Sequence, residues 1–149
     1  MVENAITKHS EGFEFSTFHV GTTLCGINIL DIQEINKNFE ITNVPQSPTY
    51  IKGIINLRGR IITIIDLGEK LGLKPVKRNK ENTNIIVNSE NEYIGLLVDA
   101  IGDVIHAGKN EIEAAPANIG AMKGNYFQGV VKRKNLLVGI LNLTEVLKE

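Results

Sequence analysis

The chain has 149 residues, of which 42% are hydrophobic and 22% are charged, a balance typical of a globular domain. Its 16 basic and 17 acidic residues leave a net charge of −1, so no overall field attracts nucleic acid or an anionic membrane. The single cysteine, Cys25, excludes a framework of disulfides within the chain, and no apolar run approaches the roughly 20 residues that span a bilayer.

The first residues of the chain, MVENAITKHSEG, are polar and contain no apolar signal segment. We therefore expect a flexible tail over residues 1–12 and a cytoplasmic protein. The first predicted strand begins directly after this tail, at Phe13.

After the tail, apolar residues occur in short β-branched blocks separated by Gly, Asn and Pro, a pattern typical of strands and turns. Helical signals are few: Ser47-Pro48 favours one turn over Tyr50–Lys52, and amphipathic turns are predicted at Leu67–Leu71 and Leu143–Leu147. The chain is therefore predicted to be mainly β. The predicted strands are Phe13–His19, Thr23–Ile27, Asp31–Ile35, Ile41–Val44, Ile54–Leu57, Arg60–Asp66, Asn84–Asn88, Tyr93–Asp99, Val104–His106, Gln128–Arg133 and Leu136–Leu141.

An internal repeat relates two parts of the chain. The stretch YIKGIINLRGRIITIIDLGEKL, from Tyr50 to Leu71, returns as YFQGVVKRKNLLVGILNLTEVL, from Tyr126 to Leu147, with an offset of 76 residues and no gap. Upstream, LCGINILDI from Leu24 resembles YIGLLVDAI from Tyr93 more loosely. We interpret this pattern as a duplication of one structural unit.

The repeat and the apolar pattern together predict the architecture. Strands that are apolar on both sides, Ile61–Ile65 and Ile94–Val98, are typical of sheets covered on both faces. We expect two small β-barrels packed side by side around a shared hydrophobic seam, because a half of about 65 residues buries too little surface alone. The expected lobes are residues 13–75 and 76–149, joined by the charged run Lys74–Asn84, which we interpret as a solvated connector. Exchange of strands between the lobes is left open.

No set of residues has the spacing of a catalytic or metal site. The three histidines lie far apart, so neither zinc nor a histidine-activated nucleophile is indicated. The acids at strand ends, Asp66, Asp99 and Asp103, fit turn or helix-cap roles better than paired-carboxylate catalysis. We therefore expect no catalytic residue, no cofactor and no metal, and a function that resides in the surface.

One predicted turn, at Arg58-Gly59, exposes a charged side chain. Gly59 separates two apolar strands and is predicted to adopt a positive φ in a tight turn, which places Arg58 at the tip of a hairpin. A guanidinium there can pair with a carboxylate, and Glu34, at the end of the preceding ILDIQEI segment, is the candidate. A solvated arginine with an unrelated glutamate is the equally weighted alternative.

Three segments together closely resemble the CheW family of bacterial chemotaxis coupling proteins: FEFSTFHVGTTLCGINILDIQEI, ITNVPQSPTYIKGIINLRGRIITIIDL and YIGLLVDAIGDV. The resemblance covers roughly Phe13 to Leu147, and its most specific part is VPxxPxYIxGxINLRGxIIxIIDL. It implies one CheW-like domain over residues 13–147, built from two SH3-like barrels, that acts as an adaptor without catalytic activity.

The same resemblance implies the partners. They are the regulatory domain of the histidine kinase CheA and the cytoplasmic tips of methyl-accepting chemotaxis receptors, with no nucleic acid and no direct membrane insertion. The expected location is the cytoplasm, at the inner face of the membrane through receptor arrays. The residues carried over as partner-binding are Ile32, Glu34, Gly53, Asn56, Leu57, Arg58, Gly59, Gly95, Val98 and Asp99.

Two other classes of function are alternatives to this one. A stand-alone small barrel can bind peptide or single-stranded nucleic acid, but the near-neutral charge and 5% aromatic content argue against it. A small hydrolase that uses Asp66 or Asp99 would show a pH-dependent activity lost on an Asp→Asn change, and is the more remote alternative.

Overall fold

The computed structural model describes residues 12–148, so the tail expected over residues 1–12 falls, apart from Gly12, outside the described residues. The described residues form thirteen strands and two short α-helices, α1 (Leu67–Lys70) and α2 (Leu143–Val146), which confirms the mainly β prediction. The strands are β1 (Phe13–Val20), β2 (Thr23–Asn28), β3 (Ile32–Asn36), β4 (Ile51–Leu57), β5 (Arg60–Asp66), β6 (Thr83–Ser89), β7 (Glu92–Val98), β8 (Ala100–Ala107), β9 (Ile112–Glu113), β10 (Asn118–Ile119), β11 (Met122–Lys123), β12 (Phe127–Arg133) and β13 (Leu136–Leu141).

The strands form two main sheets. The first sheet has the order β8-β1-β2-β13-β12-β9, the second has the order β3-β6-β7-β5-β4, and β10 pairs with β11. Neighbouring strands are antiparallel except for one parallel pair in each main sheet, β2 with β13 and β5 with β7. Each parallel pair joins two hairpins, so both sheets are assembled in the same way.

The internal repeat is a repeat of strand pairing. In the second sheet Ile64 lies opposite Gly95, and in the first sheet Ile140, 76 residues after Ile64, lies opposite Gly26. Both glycines leave room for the facing isoleucine: an added Cβ would lie 2.5 Å from Cδ1 of Ile64 at Gly95 and 3.0 Å from Cδ1 of Ile140 at Gly26. The duplication inferred from sequence therefore extends to the looser upstream segments.

Each sheet curls until its two edges approach. In the second sheet β3 and β4 are at opposite ends of the strand order, yet Arg58, directly after β4, donates a hydrogen bond to Glu34 of β3. In the first sheet Arg133 of β12 donates to the carbonyl oxygen of His106 in the opposite edge strand β8. A flat sheet would separate these edges by several strand spacings of about 4.8 Å. This curling gives the expected pair of small SH3-like barrels.

The two sheets do not coincide with the expected lobes 13–75 and 76–149. Hairpin β1–β2 pairs with β13 in the first sheet, whereas hairpin β6–β7 pairs with β5 in the second. After β2, a 3-10 turn at Ile29–Asp31 redirects the chain out of the first sheet, and the Asn28 side chain accepts a hydrogen bond from the Leu30 N–H there. Strands are therefore exchanged, and residues from both sides of position 75 build each sheet.

A shared core joins the sheets. The largest buried cluster combines residues of the first sheet, such as Phe18 and Ile27, with residues of the second, such as Ile85 and Leu96. Smaller clusters lie inside each barrel, around Phe15 in the first and around Ile62, Ile64 and Ile86 in the second. Side chains of β6 and β7 thus point alternately into the shared seam and into their own barrel. The doubly apolar pattern predicted this for Ile94–Val98 in β7.

Local predictions were less accurate between Glu40 and Lys52. The predicted strand Ile41–Val44 is a single bridge, Thr42 to Ile54, and the helical turn predicted at Tyr50–Lys52 was wrong because β4 already begins at Ile51. The two amphipathic turns form as α1 and α2. Among residues 12–148, no helix is long and apolar enough to cross a membrane.

The connector after α1 is anchored, in contrast to the solvated run expected from its charge. Asp66 is fully buried; its Oδ1 accepts from the Glu69 N–H at 3.0 Å as the helix cap, and its Oδ2 accepts from the Val76 N–H at 2.9 Å. Asn82 donates to the carbonyl oxygens of Lys77 and Asp99, both at 3.2 Å. The apolar pattern missed this segment because polar side chains hold it through backbone groups.

Asp66→Ala should destabilise the protein more than Asn142→Ala, the change at the equivalent cap of α2. Asn142 caps α2 through Glu145 N at 3.2 Å, whereas Asp66 also holds the connector. We expect a loss of about 3 kcal/mol in the free energy of unfolding for Asp66→Ala and about 1 kcal/mol for Asn142→Ala. Urea unfolding followed by circular dichroism measures both. Equal losses would contradict a connector role for Asp66.

Candidate partner-binding site

The β4–β5 hairpin ends in the two-residue turn Arg58-Gly59. Both residues have positive φ, 53° at Arg58 and 81° at Gly59, the geometry of a type I′ turn whose twist matches that of the strands. The Asn56 side chain accepts from the Gly59 N–H at 2.9 Å. The predicted left-handed glycine is confirmed, and Arg58 shares its conformation, so the backbone beneath the guanidinium is fixed.

Arg58 and Glu34 form the predicted ion pair. One guanidinium nitrogen of Arg58 donates to Oε1 of Glu34, with the arginine side chain 72% exposed and the glutamate side chain 28% exposed. The pKa of the Glu34 carboxyl is lowered from its ordinary value. The hydrogen bond from Arg58 is the largest cause, and the hydrogen bond from Asn36 is the second. The carboxylate is therefore the charged form against which Arg58 is oriented.

A depression of about 300 Å³ lies beside this pair. The guanidinium carbon of Arg60 stands 4.0 Å from the centre of the Tyr93 ring, a cation–π contact that fixes a second arginine on the same surface. Ile35 and Ile61, on strands that border the depression, are exposed apolar residues. Its lining consists of Gln33, Glu34, Leu57, Arg58, Arg60, Ile62, Ile86 and Tyr93.

The structure gathers half of the residues predicted to bind partners. Glu34, Asn56, Leu57, Arg58 and Gly59 lie together at the hairpin tip and around the depression. None of the five is fully buried, and together they form one continuous surface.

The other five predicted residues lie elsewhere. Ile32 packs on the shared core, and Val98 is fully buried within it. Gly53 and Gly95 are buried inside the second sheet. Asp99 follows β7, and its Oδ2 accepts from the Gly21 N–H at 2.7 Å, which ties the second sheet to the β1–β2 turn. The buried members present no side chain at the surface and belong to the framework beneath it.

Gly53 shows why such a position is glycine. Its φ is 144°, and an added Cβ would lie 2.1 Å from the carbonyl oxygen of Thr42, the residue that bridges to Ile54. Gly59, in the same hairpin, has a φ of 81°, but no atom of residues 12–148 outside its immediate neighbours would lie within 4 Å of an added Cβ. Thus close backbone approach determines Gly53, whereas turn geometry alone determines Gly59.

Sequence reasoning did not find Asn36, Arg60 and Tyr93, which shape the same surface. Arg60 directly follows the predicted turn, so its position was a usable signal. The contacts of Tyr93 with Arg60 and of Asn36 with Glu34 depend on strand pairing between distant segments. A single sequence contains no direct measure of those pairings.

The first barrel has a related but different surface. Its depression of about 490 Å³ is lined partly by the β12–β13 hairpin, where Leu136 is 57% exposed. Lys134 occupies the position equivalent to Arg58. Asp103 lies as far after Glu34 in the sequence as Gly95 lies after Gly26, so Asp103 is the counterpart of Glu34. In the described chain no ion pair forms between Lys134 and Asp103. Nor do residues 12–148 contain a cluster of three or more potential metal ligands.

Comparison with known proteins agrees with this geometry. Residues 14–149 match the family model described as the CheW-like domain. The chain is 33% identical to the chemotaxis protein CheW of Helicobacter pylori, over 95% of this chain and 85% of that protein, and 32% identical to the chemotaxis protein CheW of Bacillus subtilis, over 91% and 87%. A crystal structure of the scaffolding protein TtCheW from Thermoanaerobacter tengcongensis superposes with a TM-score of 0.86 at 32% identity, covering 95% of this chain and 91% of that one.

Two curled sheets with an exposed hairpin tip and an adjoining depression define a protein–protein interaction module. The chain belongs to the CheW-like domain family, and it is a chemotaxis adaptor.

Substituting the two hairpin glycines distinguishes a position that needs close backbone approach from one that needs only a turn conformation. We expect Gly53→Ala to cost about 3 kcal/mol or more in unfolding free energy, because backbone strain adds to a clash with Thr42. Gly59→Ala should cost about 1 kcal/mol, from the positive φ alone. Chemical denaturation of the two variants and the parent tests this order. A Gly53→Ala protein as stable as Gly59→Ala would overturn the assignment.

Proposed function

We propose that this adaptor couples the cytoplasmic tips of methyl-accepting chemotaxis receptors to the regulatory domain of the histidine kinase CheA. It works by binding alone, without a catalytic step, in the cytoplasm at the inner face of the membrane. The proposal is supported by the family to which the chain belongs and by the exposed, oriented arginine at the hairpin tip.

The depression beside Arg58 suits a helical receptor segment. Helices bind grooves by placing an apolar stripe against exposed aliphatic side chains while polar contacts at the rim set their orientation. Leu57 supplies apolar lining here, and Arg58 and Arg60 supply the cationic rim. Arg58 is hydrogen-bonded to Glu34, and Arg60 makes a cation–π contact with Tyr93, so both charges are oriented before a partner binds.

An adaptor also needs a second surface that stays available when the first is occupied. The first sheet carries its own exposed apolar residues, Leu136 and Leu137, which line its depression. An exposed apolar group on a different sheet is suited to a second protein partner. Modest affinity at each surface is sufficient, because repeated contacts in an assembly raise the overall strength of binding.

The alternative of a nucleic-acid module is not favoured by this surface. Arg58 is neutralised by Glu34, Arg60 lies over the Tyr93 ring, and the net charge is −1. A backbone-tracking groove would instead present unpaired cations and free aromatic faces.

Arg58→Glu tests the proposal, with Lys134→Glu as the matched control. Both residues occupy equivalent hairpin tips with positive φ, 53° and 47°, and both substitutions change the charge equally. We expect Arg58→Glu to weaken binding of a receptor tip fragment about tenfold, because an oriented contact is replaced by a charge that Glu34 repels. Lys134→Glu should change that affinity by less than about twofold.

Isothermal titration calorimetry with the receptor fragment, and separately with a CheA regulatory domain, measures these effects, and circular dichroism checks the fold. Unchanged receptor affinity in Arg58→Glu would remove Arg58 from the binding surface. If the parent protein bound neither fragment, the coupling function itself would be rejected.

A further inference from the structure

Glu34 has two hydrogen-bond donors, one on each carboxylate oxygen. Arg58 donates to Oε1, and the side-chain nitrogen of Asn36 donates to Oε2 at 3.2 Å. An exposed ion pair by itself contributes little, because holding a long side chain in one geometry costs conformational entropy. The second donor prevents the Glu34 carboxylate from rotating away from Arg58.

The Asn36 amide is itself held in one orientation. Its Oδ1 accepts from the Asn38 N–H at 3.1 Å and from the side-chain nitrogen of Asn84 at 3.4 Å. Asn84 also donates to the carbonyl oxygen of Asn38 at 2.8 Å. Rotating the Asn36 amide by half a turn would place its oxygen against the Glu34 carboxylate and its NH₂ against the Asn38 N–H. The donor toward Glu34 is therefore fixed.

The first barrel indicates that the fold does not require these amides. Asn36 lies opposite Asn84 across β3 and β6, and the equivalent pair across β8 and β1 is Ile105 with Phe15. Asn84 is fully buried, and its Oδ1 has no partner among the described residues, a costly arrangement compared with an apolar pair. Where the amides are absent, the Lys134–Asp103 pair is absent too.

We propose that Asn36 is a positioning residue: supported by Asn84, it fixes the Glu34 carboxylate so that Arg58 is presented to the partner in one orientation. The inference rests on the proposed function for its binding consequence, but the positioning itself is a property of the free protein. The half-buried Asn36 and the buried Asn84 thereby control an exposed charge on the opposite edge of the sheet.

Two substitutions of Asn36 test the proposal. Asn36→Ala removes the donor to Glu34, and Asn36→Asp also removes it while keeping an oxygen that accepts from Asn38 and Asn84. Asn88→Asp, at an exposed position of β6 in the same sheet, is the charge control. The cationic groups on the surface near Glu34, Arg58 and Arg60, are retained in every variant.

The first measurement is the carboxyl titration of Glu34 by carbon-detected NMR of the free protein. In the parent, hydrogen bonds from Arg58 and Asn36 lower the pKa of Glu34. Loss of the Asn36 donor removes stabilisation of the charged form, so the pKa should rise in Asn36→Ala, and should rise further in Asn36→Asp because a second carboxylate lies alongside. Asn88→Asp should leave it unchanged. An unchanged Glu34 pKa in both Asn36 variants overturns the proposal.

The second measurement is affinity for the receptor tip fragment. We expect both Asn36 variants to bind about three- to tenfold more weakly and Asn88→Asp to bind within about twofold of the parent. A raised Glu34 pKa with parental affinity would mean that the positioning does not serve recognition, and would also overturn the proposal. If the parent itself failed to bind the fragment, the proposed function would fall, while the titration would still decide whether Asn36 positions Glu34.

Discussion

The packing of the two curled sheets against each other is the contact on which the rest of the molecule depends. Neither sheet is large enough to be robust alone, since units of this size bury too small a fraction of their surface. The shared core supplies the missing burial with residues from both, including Phe18 and Ile27 from one and Ile85 and Leu96 from the other. Strand exchange makes the arrangement inseparable, because β3 and β8 leave the hairpins that precede them and join the opposite sheet.

The two similar halves differ most clearly around the hairpin tip of the proposed binding surface. Equivalent hairpins place Arg58 and Lys134 at equivalent tips. Within residues 12–148, of the two only Arg58 has a carboxylate partner, and only beneath Arg58 do amides replace an apolar pair. The cap of α1 is the charged Asp66, which holds the connector, whereas the cap of α2 is the neutral Asn142. Duplication provides the framework, and a few polar substitutions specialise one half.

Much of the fold could be predicted from the sequence because its signals are local. Hairpin turns, helix caps and doubly apolar strands depend on residues within a few positions of one another. The partners of β2 and β7 could not be predicted, since both hairpins offer an equally apolar edge, and the turn at Ile29–Asp31 that redirects the chain is weakly marked. Arg58 and Gly59 at the tip followed from turn chemistry, whereas Asn56 and Leu57 followed from the family resemblance. Asn36 and Tyr93 depended on those long-range pairings.

The buried residues of the resemblance explain why a recognisable pattern is broader than a contact surface. Gly95 is buried, but a side chain there would displace Ile64. Ile64 lies in β5, the strand that follows the Arg58-Gly59 turn. Gly53 allows the Thr42 backbone to approach the same hairpin from its other side. A hairpin held on both flanks cannot easily tilt, so the guanidinium at its tip keeps its position relative to β3. Residues without an exposed side chain can therefore be as necessary to the geometry of this tip as the residues on its surface.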